Sequence, residues 1–372
     1  MDETSVQRAK GADGYTSIGW IDFKTRRKEL SAIGSAKSRL CPVSGPGSLR
    51  ASPVNVTGHG TKYTILNQPN PFQTEVRFVD RMIAGWLNTG DPRYLDGLRG
   101  WMLTSAKARS FSRIIPDPDR FRYVDPLFNL RLALKPTFMG YDLLRQTNHL
   151  SADEDAAIRS WLESVVKSTD KGGCEMSDYC DNKDANHTTL HRGTTFMLWG
   201  AVSGNKKWLN KGISHFKEGL RASRSDGSNE NDVIPKKKIG SGGDRALRKQ
   251  NQIVGYLVMT AEIGERHGYN LYKTKQGGAD IFDAFEFLVR GLEDNTVVAK
   301  HTGSASHGDK FLHLSRHNDE TAAWFELFSR RFPNHPLTAR FARQVDARRP
   351  LSSPAYGGNL SCFAGNPRGR FR

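Results

Sequence analysis

From Gln73 onward the chain repeats one pattern, apolar residues three or four apart, and that pattern leaves little room for a sheet. In EVRFVDRMIAGWLNTG the residues Val76, Val79, Met82, Ile83 and Trp86 fall at helical spacing. A second helix, DPRYLDGLRGWMLTSAKARSF, follows the break at TGDP. The same grammar continues through FNLRLALKPTFMGYDLLRQ, SADEDAAIRSWLESVVKST, NHTTLHRGTTFMLWGAVSG, KKWLNKGISHFKEGLRAS, DRALRKQNQIVGYLVMTAEIGERHG, GADIFDAFEFLVRGLED and DETAAWFELFSRRFPN. Strand-like alternation is nearly absent. Ser151 with Glu154 three residues later has the form of a capping box, and Gly or Asn closes several segments. Short connections between such helices imply antiparallel hairpins. The expected fold is all-α, an (α/α) toroid or incomplete barrel of helical hairpins forming one domain over 61–372. Residues 1–60, rich in Gly, Ser and Pro, read as an irregular N-terminal arm.

Charge narrows the partner. Against 39 acidic residues stand 55 Lys and Arg, a formal net charge of +16, so a polyanion is the natural ligand. Nucleic acid would call for basic residues clustered with stacking aromatics, yet here they are spread over most helices, with Lys236–Lys238 the one tight run. No stretch is long and apolar enough to span a bilayer. The expectation is an acidic polysaccharide as partner, with no nucleic acid and no membrane, and a monomeric protein. Of the four cysteines, Cys174 and Cys180 bracket a turn-rich loop suited to a disulfide, and Cys41 and Cys362 could tie the chain ends together. That pattern favours an oxidising compartment, periplasmic or secreted. The start, MDETSVQRAK, carries no secretory apolar region, which fits a removed signal or a cytoplasmic enzyme.

Four loop-to-helix junctions carry more polar chemistry than a fold requires. In DANHTTLHRG, Asn186 suits an N-cap, but His187, His191 and Arg192 beside it need another account. His187 and His191, four apart on one helix face, resemble a metal pair, but no further ligand motif accompanies them, and no metal or cofactor is expected. The second junction runs from a Gly-rich basic loop containing Lys236 into a helix on which Arg245, Arg248, Gln252 and Tyr256 share a face. The third, GTKYTILNQPNPF, holds Lys62 and Tyr63. The fourth, HTGSASHGDKFLHLSRHNDE, carries four of the eleven histidines and reads as a lid or a surface loop. Arg131, on the helix FNLRLALKP, adds a further candidate for binding an anionic sugar.

In the order and spacing of these segments the chain resembles the alginate lyases of polysaccharide lyase family 5 and, more loosely, the all-helical uronate lyases of family 38. The resemblance rests on Asn186-His187 opening an apolar helix, on an Asp-Gly loop closing the next, and on Ile234-Pro235 ahead of Arg245-Ala246-Leu247. It extends with lower specificity over about residues 60–340, where TKYT resembles a lid segment. One departure stands out: the family has a catalytic tyrosine two turns after the arginine, directly following an asparagine, where this chain has Asn251-Gln252.

The resemblance implies lytic cleavage of a polyuronate. Such a reaction removes the sugar C5 proton beside a carboxylate and expels the oxygen on C4, so it needs carboxylate neutralisation, a base and an acid. Asn186 and Arg245 suit neutralisation, and His187 suits the base because imidazole titrates near neutrality. Tyr63 is the chosen acid over His191 and Tyr256. The remaining candidates, Lys62, Arg131, His191, Arg192, Lys236, Arg248, Gln252 and Tyr256, are assigned to substrate binding. Two other readings stay open. A glycoside hydrolase would need a carboxylate pair, for which Asp184, Asp232, Asp244 and Asp319 are candidates. A non-catalytic polyanion-binding protein would need only the charge.

Overall fold

The computed structural model describes residues 21–45, 73–111, 126–171, 186–234, 246–302, 322–345 and 349–365. In chain order the helices are α1 (Phe23–Ala32), α2 (Lys37–Leu40), α3 (Gln73–Thr89), α4 (Pro92–Lys107), α5 (Pro126–Gln146), α6 (Ala152–Lys171) and α7 (His187–Ser203). They continue as α8 (Lys206–Arg221), α9 (Ala246–Arg266), α10 (Ile281–Glu293), α11 (Thr296–Thr302), α12 (Phe325–Arg331) and α13 (Pro336–Val345). A small antiparallel ladder follows, in which β1 (Ser352–Ser353) pairs with β2 (Gly358–Asn359), and it leads into the short α14 (Leu360–Phe363). The all-α expectation is met. The irregular arm is not wholly irregular, however, because α1 and α2 lie inside it. Asp22 caps α1, accepting from the Thr25 N–H at 2.9 Å, and Phe23, Arg26 and Leu30 bury one face. A single ten-residue helix between Gly/Ser/Pro-rich flanks is too short to announce itself by periodicity.

The chain forms two compact units, Met1–Lys183 with Val202–Asn205, and Asp184–Ala201 with Lys206–Arg372. The division falls inside the span expected to be one domain. In the first unit α3 packs on α4 and α5, α6 packs on α4, and α1 covers α3. Val79, Ile83, Leu87, Leu98, Met102, Leu134, Phe138 and Leu162 form its core, each fully buried, and the residues that set the helical period are largely the ones that fill it. The Ser151–Glu154 capping box is present at α6, with the Ser151 N–H donating to Glu154 Oε2 at 3.0 Å and the Glu154 N–H to Ser151 Oγ at 3.3 Å.

The second unit is organised around α9, whose Ile253 to Ala261 are all buried, with α8, α10 and α12 packed against it. Helices α7 and α8 approach closely along glycines. A β-carbon on Gly193 would lie 2.4 Å from His215 Cβ, and one on Gly212 would lie 2.6 Å from Met197 Cβ. Only a hydrogen fits there, so the hairpin is drawn in tightly and the N-terminus of α7 is carried on a rigid pair. Cys41 and Cys362, both fully buried, are disulfide-bonded. The loop of Cys174 and Cys180 lies outside the described residues.

Candidate active site

Helix α7 starts because Asn186 caps it. Its Oδ1 accepts the main-chain N–H of Thr188 at 2.9 Å and of Thr189 at 3.2 Å, and the Thr188 hydroxyl at 2.6 Å. Two main-chain donors on one atom identify that atom as the oxygen, so the planar amide turns Nδ2 away from the helix. Nδ2 donates to no described residue. The capping role of this asparagine and a donor role toward a ligand therefore use opposite ends of the same group.

His187 is held twice by one carboxylate. Its main-chain N–H donates to Asp232 Oδ2 at 2.6 Å, and its Nδ1 lies 2.9 Å from Asp232 Oδ1. An ionised carboxylate offers only acceptors, so in the neutral ring Nδ1 carries the proton and Nε2 keeps its lone pair. Nε2 has no hydrogen-bond partner among the described residues, and the side chain is 12% exposed. The result is an imidazole oriented through Nδ1, with Nε2 unengaged among the described residues.

Asp232 in turn sits on the Asp-Gly loop that follows α8. Gly227 makes the bend at φ +86°, where a β-carbon would fall 1.9 Å from the Asp283 carbonyl oxygen. Asn229 Oδ1 accepts the N–H groups of Asn231 at 3.0 Å and Asp232 at 3.1 Å. Gln250, buried on α9, ties the loop down: its Oε1 accepts the Asn229 N–H at 3.1 Å, and its Nε2 donates to the Gly227 carbonyl at 2.9 Å and to that of Ala284 at 3.0 Å. Also from α9, Lys249 Nζ lies 3.4 Å from Asp232 Oδ1. Burial alone would push the Asp232 carboxyl up, but the charge and hydrogen bonds of His187 together with Lys249 outweigh it and hold the group below its ordinary value.

The other candidates divide. Arg248 and Gln252 are half-buried on α9. His191 and Tyr256 are a correction: both are fully buried, with ring centroids 5.2 Å apart, and Tyr256 also packs on Tyr356 at 5.4 Å. One helical turn from the α7 opening a side chain already faces α9, so neither ring is open to a sugar as it stands. Arg192 lies with its guanidinium 5.6 Å over Phe196, along the α8 side of α7. Arg131 belongs to the first unit, buried, with Nη2 donating to the Thr169 carbonyl at 3.1 Å. Lys62, Tyr63, Lys236 and Arg245 lie outside the described residues, as do Asp184, Asp244 and Asp319.

Sequence reading missed two members of the constellation. Lys249 sits one position from the expected Arg248 stripe, and Asp232 was weighed only as half of a hydrolase pair. A buried Asp committed to His187 and Lys249 has a different function from a hydrolytic acid. The Asn- and Asp-rich run SDGSNEND was the available signal, but it marks a turn and does not name the histidine 45 residues earlier.

Comparison with known proteins bears on this geometry. The family model described as alginate lyase matches residues 85–297. A polysaccharide lyase of Stenotrophomonas maltophilia is 23% identical over 292 residues, 77% of this chain and 76% of that protein. Alginate lyase A1-III from Sphingomonas species A1 superposes with a TM-score of 0.75 at 19% identity, covering 94% of this chain and 96% of that one. A histidine-to-alanine variant of A1-III complexed with tetrasaccharide gives the same TM-score over 95% and 96% of the two chains. An alginate lyase from Bacteroides ovatus gives 0.60 at 13% identity, over 98% and 97%. The all-helical fold is therefore the one these enzymes share. The chain belongs to the alginate lyase family and is a polysaccharide lyase.

Proposed function

We propose that this lyase cleaves a polyuronate, of the alginate or polyglucuronate kind, by β-elimination. One observation carries the reading: a histidine at a helix opening, its Nδ1 held by the buried Asp232 and its Nε2 unpaired among the described residues, directly beside Asn186, whose Nδ2 donates to no described residue. In the reaction His187 Nε2 takes the C5 proton. The electron pair forms the C4–C5 double bond, the C4–O bond breaks, and Tyr63 gives a proton to the departing oxygen. Asn186 Nδ2 and Arg245 meet the sugar carboxylate, which makes the C5 proton acidic enough to remove by stabilising the charge that develops there. Lys62, Lys236, Arg192, Arg248 and Gln252 contribute to holding neighbouring sugars, in keeping with the excess of positive charge. The disulfide-bonded cysteines support action in the periplasm or outside the cell.

A panel of mannuronate, guluronate and glucuronate polymers, followed by ultraviolet absorbance of the product, tests the proposal. Unsaturated ends accumulating on one of these polymers are the expected result. New reducing ends without unsaturation would mean hydrolysis and overturn the reading.

A further inference from the structure

We propose that Lys249 is a positioning residue that sets the pH at which His187 becomes a competent base, by sharing Asp232 with it. This rests on the base role given to His187 above. A cation whose side chain is only 9% exposed is costly to bury unless it is paired, and among the described residues the carboxylate that meets Lys249 is Asp232. Its Nζ approaches Oδ1, the same oxygen that faces the His187 ring, while Oδ2 is occupied by the His187 main-chain N–H. The contacts come from three elements: His187 on α7, Lys249 on α9, and the 223–234 loop, whose neutral Asn229 braces the Asp232 main chain. The charged side chains that weigh most on Asp232 are His187 and Lys249.

The physical consequence follows from sharing. An uncompensated buried carboxylate would hold the imidazolium form tightly, and the ring would stay protonated, useless as a base, to a higher pH. Lys249 draws off part of that charge at Oδ1. Asp232 can then orient the ring and fix its tautomer without trapping its proton. A depressed Asp232 carboxyl agrees, since the carboxylate remains ionised and does not take the proton itself. A pair that only fastened the loop to α9 would show its loss in the melting temperature, whereas the charge at Oδ1 acts on the titration of the ring.

The experiment is imidazole NMR of the full chain across pH, with the His187 signal assigned by its loss in His187→Gln, alongside pH profiles of kcat/KM. In Lys249→Met the His187 titration midpoint should rise by about one pH unit, and the acidic limb of kcat/KM should move with it. Lys249→Arg should restore both. Should Lys249→Met not fold, Lys249→Gln keeps a hydrogen-bond donor without the charge and should give the same upward shift. A folded neutral variant whose midpoint stays put or falls would overturn the proposal. A midpoint that rises as expected in a protein giving no unsaturated product on any polyuronate would instead count against the β-elimination reading and leave the role of Lys249 standing.

Discussion

Helices α6 and α7 both open on a side-chain cap, and they differ in where the remaining donor goes. At α6 the circuit closes within one turn, Ser151 and Glu154 exchanging main-chain hydrogen bonds, and Glu154 then pairs with the half-buried Arg99. At α7 the cap Asn186 also acts locally, but the N–H of the first helical residue, His187, is satisfied by a carboxylate 45 residues away. The first arrangement needs only its own turn. The second needs a folded loop, a buried aspartate and a neighbouring helix, and in return it fixes the orientation and tautomer of a ring. A helix start that borrows its partner from elsewhere in the fold is where to look for chemistry.

The largest break in this comparison should come at the ring itself. His187→Ala is expected to lower kcat by roughly 10²–10⁴-fold with little change in melting temperature, measured as unsaturated product per enzyme. Turnover near that of the parent would remove His187 as the base. Asp232→Asn should come next, with a loss of roughly 10–100-fold, because the amide no longer enforces one tautomer and leaves Lys249 without its counter-charge. If turnover survives while the chain stays folded, Asp232 is only a helix anchor.

Asn186 separates the two uses of one amide. Asn186→Ser preserves a good cap and should keep the melting temperature while lowering kcat, since the Nδ2 donor is gone; Asn186→Ala should add a stability loss of about 1 kcal/mol. Equal activity in the serine variant and the parent would leave Asn186 with capping alone. The smallest effect belongs to α6. Glu154→Gln should leave kcat unchanged and lower Tm slightly. The Arg99 hydrogen bond and the Ser151 N–H pull the Glu154 carboxyl down from 4.5 to about 2. A depressed carboxyl stabilises the fold above its unfolded value and ceases to as pH falls through its folded one. The Tm gap between parent and variant should therefore be full above about pH 5 and closed near pH 2. A gap independent of pH would show that the cap, not the charge, is responsible.

Much of this molecule could be read along the chain. The apolar period located α3 to α10, Ser151 with Glu154 announced its own cap, and Asn186-His187 before an apolar run marked the opening where the site is built. What could not be read was which side chains meet there. Arg248, Gln252 and Tyr256 share a face with Arg245 in projection, yet a helical projection does not say how deep each turn lies, and Tyr256 sits in the core. The glycines at 193 and 212 look like weak helix formers in sequence. In the folded hairpin they are the contact points that let α7 and α8 touch.

The all-helical class, the helix openings and the histidine proposed as base could be read along the chain, because period, capping and imidazole chemistry are properties of near neighbours. That His187 pairs with Asp232, that Lys249 shares that carboxylate, and that His191 and Tyr256 are enclosed came only with the folded chain. Those facts depend on side chains from α7, α9 and the loop after α8 being brought within about 3 Å of one another, or shut away from water, and no spacing along the chain encodes such a distance.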